Sequence, residues 1–216
     1  MGSTTPMTSV AGISSDDPIG FAQEYFAHVA NVLERIDRCE VGAFIETLLD
    51  ARERGARMFF IGNGGSAATA SHFANDIAIG SGDYDRPFRA LSLTDNVAIL
   101  TALGNDFGYE EIFVRQLRVL AEEGDVLVAI SASGNSPNLV VAMEYAASAG
   151  LKSVALTAFD GGRIRTMADQ GVHVPTEAGE YGPAEDAHMV LDHLVGAFLM
   201  RVVRASRTDD PAGPHA

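Results

Sequence analysis

Two stretches of this chain join bare backbone to hydroxyl groups. "GNGGS" places Gly62, Asn63, Gly64, Gly65 and Ser66 directly after the apolar run "RMFFI", and "SASGNS" places Ser131, Ala132, Ser133, Gly134, Asn135 and Ser136 directly after "DVLVAI". Glycine lets the backbone approach an anion closely, and serine adds a hydroxyl that donates to it. One such loop reads as a tight turn. Two of them, each leaving an apolar run and each carrying Gly-Asn and Ser, point to a phosphate cradle. Gly62, Gly64 and Ala67 also satisfy a relaxed dinucleotide fingerprint with Asp95 as its acid. Asp95 lies 28 residues past Ala67, however, beyond the usual spacing of about 20, and the fingerprint leaves the second loop without a task. No Gly-Lys-Ser/Thr follows the glycines, which excludes a P-loop.

Further along, the side chains are ones that carry protons or hold a cation. His72 and Asp76 are four apart in "SHFANDIA", so on a helix they share a face. Glu185, His188, Asp192 and His193 crowd together in "GPAEDAHMVLDH". Helical spacing puts Glu185, His188 and Asp192 on one stripe and turns His193 by roughly a quarter of the circumference, at about 100° per residue. Spacing alone leaves open whether His188 or His193 serves a site. Taken singly, each segment has a bland reading as a satisfied structural histidine or a solvated acidic face.

The elements that position these groups follow from periodicity. Short apolar runs at 57–62, 89–94, 125–131, 152–157 and 171–175 read as five strands. Helical patterns alternate with them from Ser66 to Ile79, over 96–103 and 109–123, from Pro137 to Ala149, after Gly162 and from Pro183 to Arg204; two more helices, 18–37 and 41–54, precede the first strand. Strands alternating with helices imply right-handed βαβ units. The expectation is an α/β chain, a three-layer α/β/α sandwich on a five-stranded parallel sheet with N-terminal helices. It occupies 18–204, with 1–17 and 205–216 polar, Pro-containing and mobile.

Composition narrows the ligands. The formal net charge is −14, and Lys152 is the only lysine among 15 basic residues. No basic stripe is available for nucleic acid, so any anion must be held by backbone N–H groups and hydroxyls against the overall field. Cys39 stands alone, which excludes an intrachain disulfide and a four-thiolate metal site. The first residues lack the basic and apolar regions of a signal peptide, and no apolar run reaches membrane-spanning length. A cytoplasmic protein with no membrane contact is expected.

In their order and spacing, "GNGGSAATASHFANDI", "LGNDFG", "GDVLVAISASGNSPN" and "ALTAFDGG" resemble the sugar isomerase (SIS) domain, and most closely the phosphoheptose isomerases, over Gly20 to Arg204. The resemblance implies the SIS fold and a sugar phosphate held by Asn63, Gly64, Ser66, Ser131, Ser133 and Ser136, with Asp106 and Glu185 as further substrate contacts. It implies a divalent metal, commonly Zn2+, held by His72, Asp76, Glu185 and His193 in a cleft shared between the subunits of a homotetramer. Two histidines with carboxylates are acceptable zinc ligands. The implied activity is isomerisation of sedoheptulose 7-phosphate to a D-glycero-D-heptose 7-phosphate through an enediol, with Asp76 removing the carbon-bound proton and His193 moving protons on the oxygens.

Four positions depart from the family's usual pattern. Asp76 stands for a glutamate, Glu185 for a glutamine, Ala132 for a threonine and Gly80 for an arginine. "TDNVAILTA" also resembles a non-catalytic SIS branch that binds the bacterial replication initiator. The alternative is therefore an adaptor, for which His72, Asp76 and His193 together are superfluous.

Overall fold

The computed structural model describes residues 9–208. The segments 1–8 and 209–216, parts of the ends expected to be mobile, lie outside the described residues. Five strands, β1 (Arg57–Gly62), β2 (Arg89–Ser92), β3 (Val126–Ser131), β4 (Lys152–Ala158) and β5 (Gln170–Val174), form one sheet. Its order is β2-β1-β3-β4-β5 and every pair is parallel. The helices are α1 (Pro18–Glu34), α2 (Arg38–Arg54), α3 (Gly65–Ala78), α4 (Val97–Phe107), α5 (Val114–Leu120), α6 (Pro137–Ser148), α7 (Gly162–Met167) and α8 (Tyr181–Thr208). Among the described residues, no helix is long and apolar enough to cross a membrane.

A parallel sheet covered on both faces needs strands that are apolar on both sides, and β3 is buried at every position. Alternation sends Met58, Phe60, Val126, Val128, Val154 and Leu156 into a core completed by α1, α2, α3 and α8. Phe59, Leu127, Ala129 and Ala155 enter a second core completed by α5, α6 and α7. The layers are therefore α/β/α. Phe73 stacks on Phe60 with ring centroids 5.4 Å apart and meets Phe44 edge-on at 5.9 Å. Burying such a ring contributes about 1.5–3 kcal/mol, and it pins α3, the helix that carries His72 and Asp76, to the sheet.

The continuous helix expected over 109–123 is instead a 3-10 turn at Tyr109–Glu111 followed by the short α5. Past the end of α5 the Asp125 carboxylate accepts N–H groups from Arg57 (2.7 Å) and Glu122 (2.9 Å), a turn that leads the chain into β3 and leaves 121–123 outside the helix. At the other end, α8 runs four residues past Arg204. A 3-10 turn at Val10–Gly12 precedes α1 and is tied to the start of α8 by the Val10 N–H donating to Glu180.

Candidate active site

The strand order places the connections from β1 and β3 on opposite sides of the sheet, so a crevice opens outside their carboxyl ends, where ligands of open α/β sheets bind. Both glycine–serine loops leave the sheet there. Gly64 takes φ 55° and ψ −122° at the start of α3, a conformation that favours glycine. The Ser66 carbonyl fills the space a Cβ on Gly62 would need. In the second loop Gly134 has φ 63°, the Gly161 carbonyl occupies its Cβ position, and its N–H donates to Ser131 Oγ at 3.0 Å. The "FDGG" turn thus supports the serine loop from behind, and Ile164 N–H closes the contact on the Gly134 carbonyl at 3.0 Å.

Capping distinguishes α3 and α6 from α1, α2 and α4, and α5 and α7 likewise lack a side-chain cap. Asp17, Asp37 and Asn96 cap α1, α2 and α4 with their own side chains. Neither α3 nor α6 receives a side-chain cap. Uncapped first-turn amides and the positive ends of two helix dipoles therefore meet at the same opening, an arrangement suited to an anion. Ser66 and Ser131 are buried at its floor, and Ser133 and Ser136 are half-buried at its side.

Beyond the first loop, α3 and α8 run side by side in the same direction. Ser66, Thr69, Ala70, Phe73, Ala74 and Ile77 of α3 are buried, while His72 and Asp76 are turned towards α8. His72 Nε2 lies 3.5 Å from Asp76 Oδ2, and the His72 and His193 rings are 5.0 Å apart at 75°. Asp192 joins them: ligand atoms of His72, Asp76, Asp192 and His193 all lie within 4.8 Å of one another. Both Asp192 carboxylate oxygens are buried without a hydrogen-bond partner among the described residues. Burial first, and then the charge of Asp76, push its carboxyl up to about 7, with His193 pulling the other way.

Of the sequence candidates, the structure brings His72, Asp76 and His193 together and leaves Glu185 out of the cluster. Glu185 lies two turns before Asp192 on α8, and its carboxylate rests on Gly65, in the space a Cβ there would fill. It borders the first loop instead. Asp192 is the group that spacing arithmetic passed over: it was visible on the same stripe as Glu185, but nothing in the sequence says which part of that stripe meets α3. His188 and His193 are now distinguished. His188 is fully buried, and burial pushes its imidazole down to about 4, so it is a neutral core residue at physiological pH. Asp106 is exposed in the last turn of α4, where Asn105 donates to it at 2.7 Å.

The family model for the SIS domain matches residues 24–158. The chain belongs to the SIS-domain family. Within it, the chain is 41% identical over 155 residues to a phosphoheptose isomerase of Akkermansia muciniphila, covering 71% of this chain and 80% of that one. A phosphoheptose isomerase of Geobacter sulfurreducens is 40% identical over 167 residues, covering 77% and 87%. The solved phosphoheptose isomerase of Neisseria gonorrhoeae superposes with a TM-score of 0.74 at 32% identity, covering 82% of this chain and 96% of that one. The five-stranded parallel sheet and its helical layers are thus those of an SIS domain, with both serine loops at the crevice.

The residues present suit a divalent cation. Two imidazoles and two carboxylates are a zinc-compatible donor set. Asp192 supplies the independent sign, since a carboxylate buried without partners is costly unless it is protonated or meets a positive charge.

Proposed function

We propose that this SIS-domain chain is a phosphoheptose isomerase that converts sedoheptulose 7-phosphate to a D-glycero-D-heptose 7-phosphate. The observation that carries the reading is the juxtaposition of an uncapped, hydroxyl-lined anion cradle with a two-histidine, two-aspartate cluster. Gly65 and His72 are two turns apart, about 10 Å along α3, a span comparable to a seven-carbon sugar phosphate. The phosphate end sits on the first turns of α3 and α6 with Ser66, Ser131, Ser133 and Ser136, and the carbonyl end reaches the cluster. Asp106 and Glu185, at the rim, contact sugar hydroxyls.

The reaction is an internal redox exchange in which C1 is oxidised and C2 reduced, so no external oxidant is required. Asp76, the more exposed carboxylate of the cluster, removes a proton from C1 and later returns one to C2; a base at this position contributes about 10²–10⁴-fold. His193, exposed at the rim, carries the proton between O1 and O2. His72, Asp76, Asp192 and His193 would hold the metal, zinc in first place, which when bound polarises the sugar carbonyl. Binding the remote phosphate fixes the reacting carbons against Asp76 and His193, where orientation supplies much of the rate.

An NMR assay with sedoheptulose 7-phosphate tests this reading directly. Conversion is expected with the zinc-loaded chain, is lost on treatment with a chelator and returns when zinc is restored. No conversion with added zinc would sink the enzyme reading and leave the adaptor. A charged sugar phosphate is retained in the cytoplasm, and we place the protein there.

The assembly is proposed to be a homotetramer with its cleft shared between subunits. Val190, Leu194 and Phe198 form an i, i+4, i+8 stripe on α8, each more than two-fifths exposed, and Ile19 and Phe26 of α1 are more than two-thirds exposed. The apolar α4 has no buried residue. Such a set of bare apolar faces is unusual for a monomer. Light scattering is expected to give four chain masses; a monomer would remove the shared cleft.

A further inference from the structure

The two anion loops are joined by a pair of side-chain amides that the isomerase mechanism above leaves unused. Asn63 Nδ2 donates to Asn138 Oδ1 at 2.9 Å, and Asn138 Nδ2 donates back to Asn63 Oδ1 at 2.8 Å. Asn138 is 1% exposed and occupies the second position of α6, directly behind the serine loop. Asn63 is half-buried within the first loop. Tyr109, three residues beyond Asp106, donates its hydroxyl to Asn63 Oδ1 at 3.0 Å.

The direction of these bonds is set from outside the pair. The Leu139 backbone N–H, shared with the Ser136 carbonyl at 3.1 Å, meets Asn138 Oδ1 at 3.0 Å, and a backbone N–H can only donate, so an NH2 turned towards it would face it donor to donor. The oxygen of Asn138 must therefore face Leu139, and its NH2 must face Asn63. That in turn requires the Asn63 oxygen to face inward, where the Tyr109 hydroxyl takes its second lone pair. Both acceptor sites of Asn63 are spent and one of its two Nδ2 protons is used. What remains is a single N–H, which the planar amide directs away from the buried Asn138.

We infer that Asn138 is a positioning residue: through the reciprocal amide pair it holds Asn63 so that a hydrogen-bond donor, never an acceptor, is presented to the bound sugar phosphate, and it locks the spacing of the two loops. The inference rests on the sugar-phosphate reading of the crevice. It explains why this network, unlike a generic loop contact, is tied to a backbone amide whose polarity cannot reverse. In a chain of net charge −14, an oxygen turned towards the phosphate would add repulsion to an already unfavourable field.

The test separates substrate binding from turnover. Asn138→Ala frees Asn63 to rotate, and Asn138→Asp sets a carboxylate oxygen against Asn63 Oδ1. Each is expected to raise KM for sedoheptulose 7-phosphate about 10-fold with kcat within about 3-fold, and to raise the calorimetric Kd of inorganic phosphate by a similar factor. Asn63→Ala combined with Asn138→Ala is expected to cost no more than Asn63→Ala alone, because one acts through the other. Tyr109→Phe, a change at an exposed ring, is expected to raise KM about 3-fold with an unchanged melting temperature, and it decides the matter should the Asn138 variants fail to fold. Folded Asn138 variants with wild-type KM and phosphate Kd overturn the clamp alone, as does an unchanged KM for Tyr109→Phe where that variant decides. A wild-type chain that neither converts the sugar nor binds phosphate takes down the sugar-phosphate reading and the clamp with it.

Discussion

Asp76→Asn lowers kcat for sedoheptulose 7-phosphate by at least about 100-fold, while the Kd for inorganic phosphate stays within about 3-fold of wild type. The amide keeps the size of the carboxylate but cannot accept the carbon-bound proton. The proposed phosphate cradle lies about three turns away along α3 and does not change. Because Asp76 also stands among the candidate metal ligands, zinc content is measured on the same sample. Retained zinc with lost turnover assigns the loss to proton transfer, whereas lost zinc assigns it to the metal site. Full activity in this variant removes Asp76 from both roles. The shorter reach of aspartate is compatible with the geometry, because Asp76 faces α8 where Gly196 has no side chain: a Cβ built on Gly196 would lie 3.8 Å from the Asp76 Cβ.

Asp192→Asn moves two measurements in opposite directions. The carboxyl of Asp192 is raised from 3.8 to about 7 by burial and by Asp76. As pH climbs through this window the unfolded chain gives up the proton first, so folding loses stability from this group until the folded pKa is passed. Asparagine has no such charge. Denaturant unfolding of metal-free protein is therefore expected to show the variant gaining on wild type as pH rises from about 4 to about 7. In the same variant zinc affinity, read by competition with a chromogenic chelator, is expected to fall by more than the about 10–100-fold typical of losing an outer-shell partner. Glu185→Gln, by contrast, is expected to leave zinc affinity close to wild type, since that carboxylate rests on Gly65. Unchanged affinity in Asp192→Asn together with a loss in Glu185→Gln would restore the ligand set that the family resemblance implied.

How much was legible beforehand differs element by element. The strands at 57–62 and 152–157 could be read because a strand buried on both faces needs an uninterrupted apolar run, and that requirement is local. The two serine loops were legible for the same kind of reason: Gly64 and Gly134 adopt positive φ, and residues that do so freely are visible as letters. The helix over 109–123 was overextended because 121–123 belong to a turn in which the Asp125 carboxylate reaches back to Arg57 and Glu122. His188 and His193 were inseparable on spacing because both lie on an apolar-rich helix; only the direction in which α8 meets the sheet buries one and exposes the other. Asn138 closes the motif "GDVLVAISASGNSPN", but its pairing with Asn63 was illegible, because the two are 75 residues apart.

The sequence by itself determined the α/β alternation, the five strands, the two glycine–serine loops and the presence of His72, Asp76 and His193 as a candidate constellation. Those properties depend on backbone freedom, periodicity and residue chemistry, which are carried within a few neighbouring positions. Only the tertiary structure decided that Asp192 lies within reach of His72, Asp76 and His193, that His188 is core, and that Asn138 pairs with Asn63. Each of these depends on the rotation and registry of one helix against another, quantities set by the packing of the whole core around α3 and α8 and therefore written in no single segment of the chain.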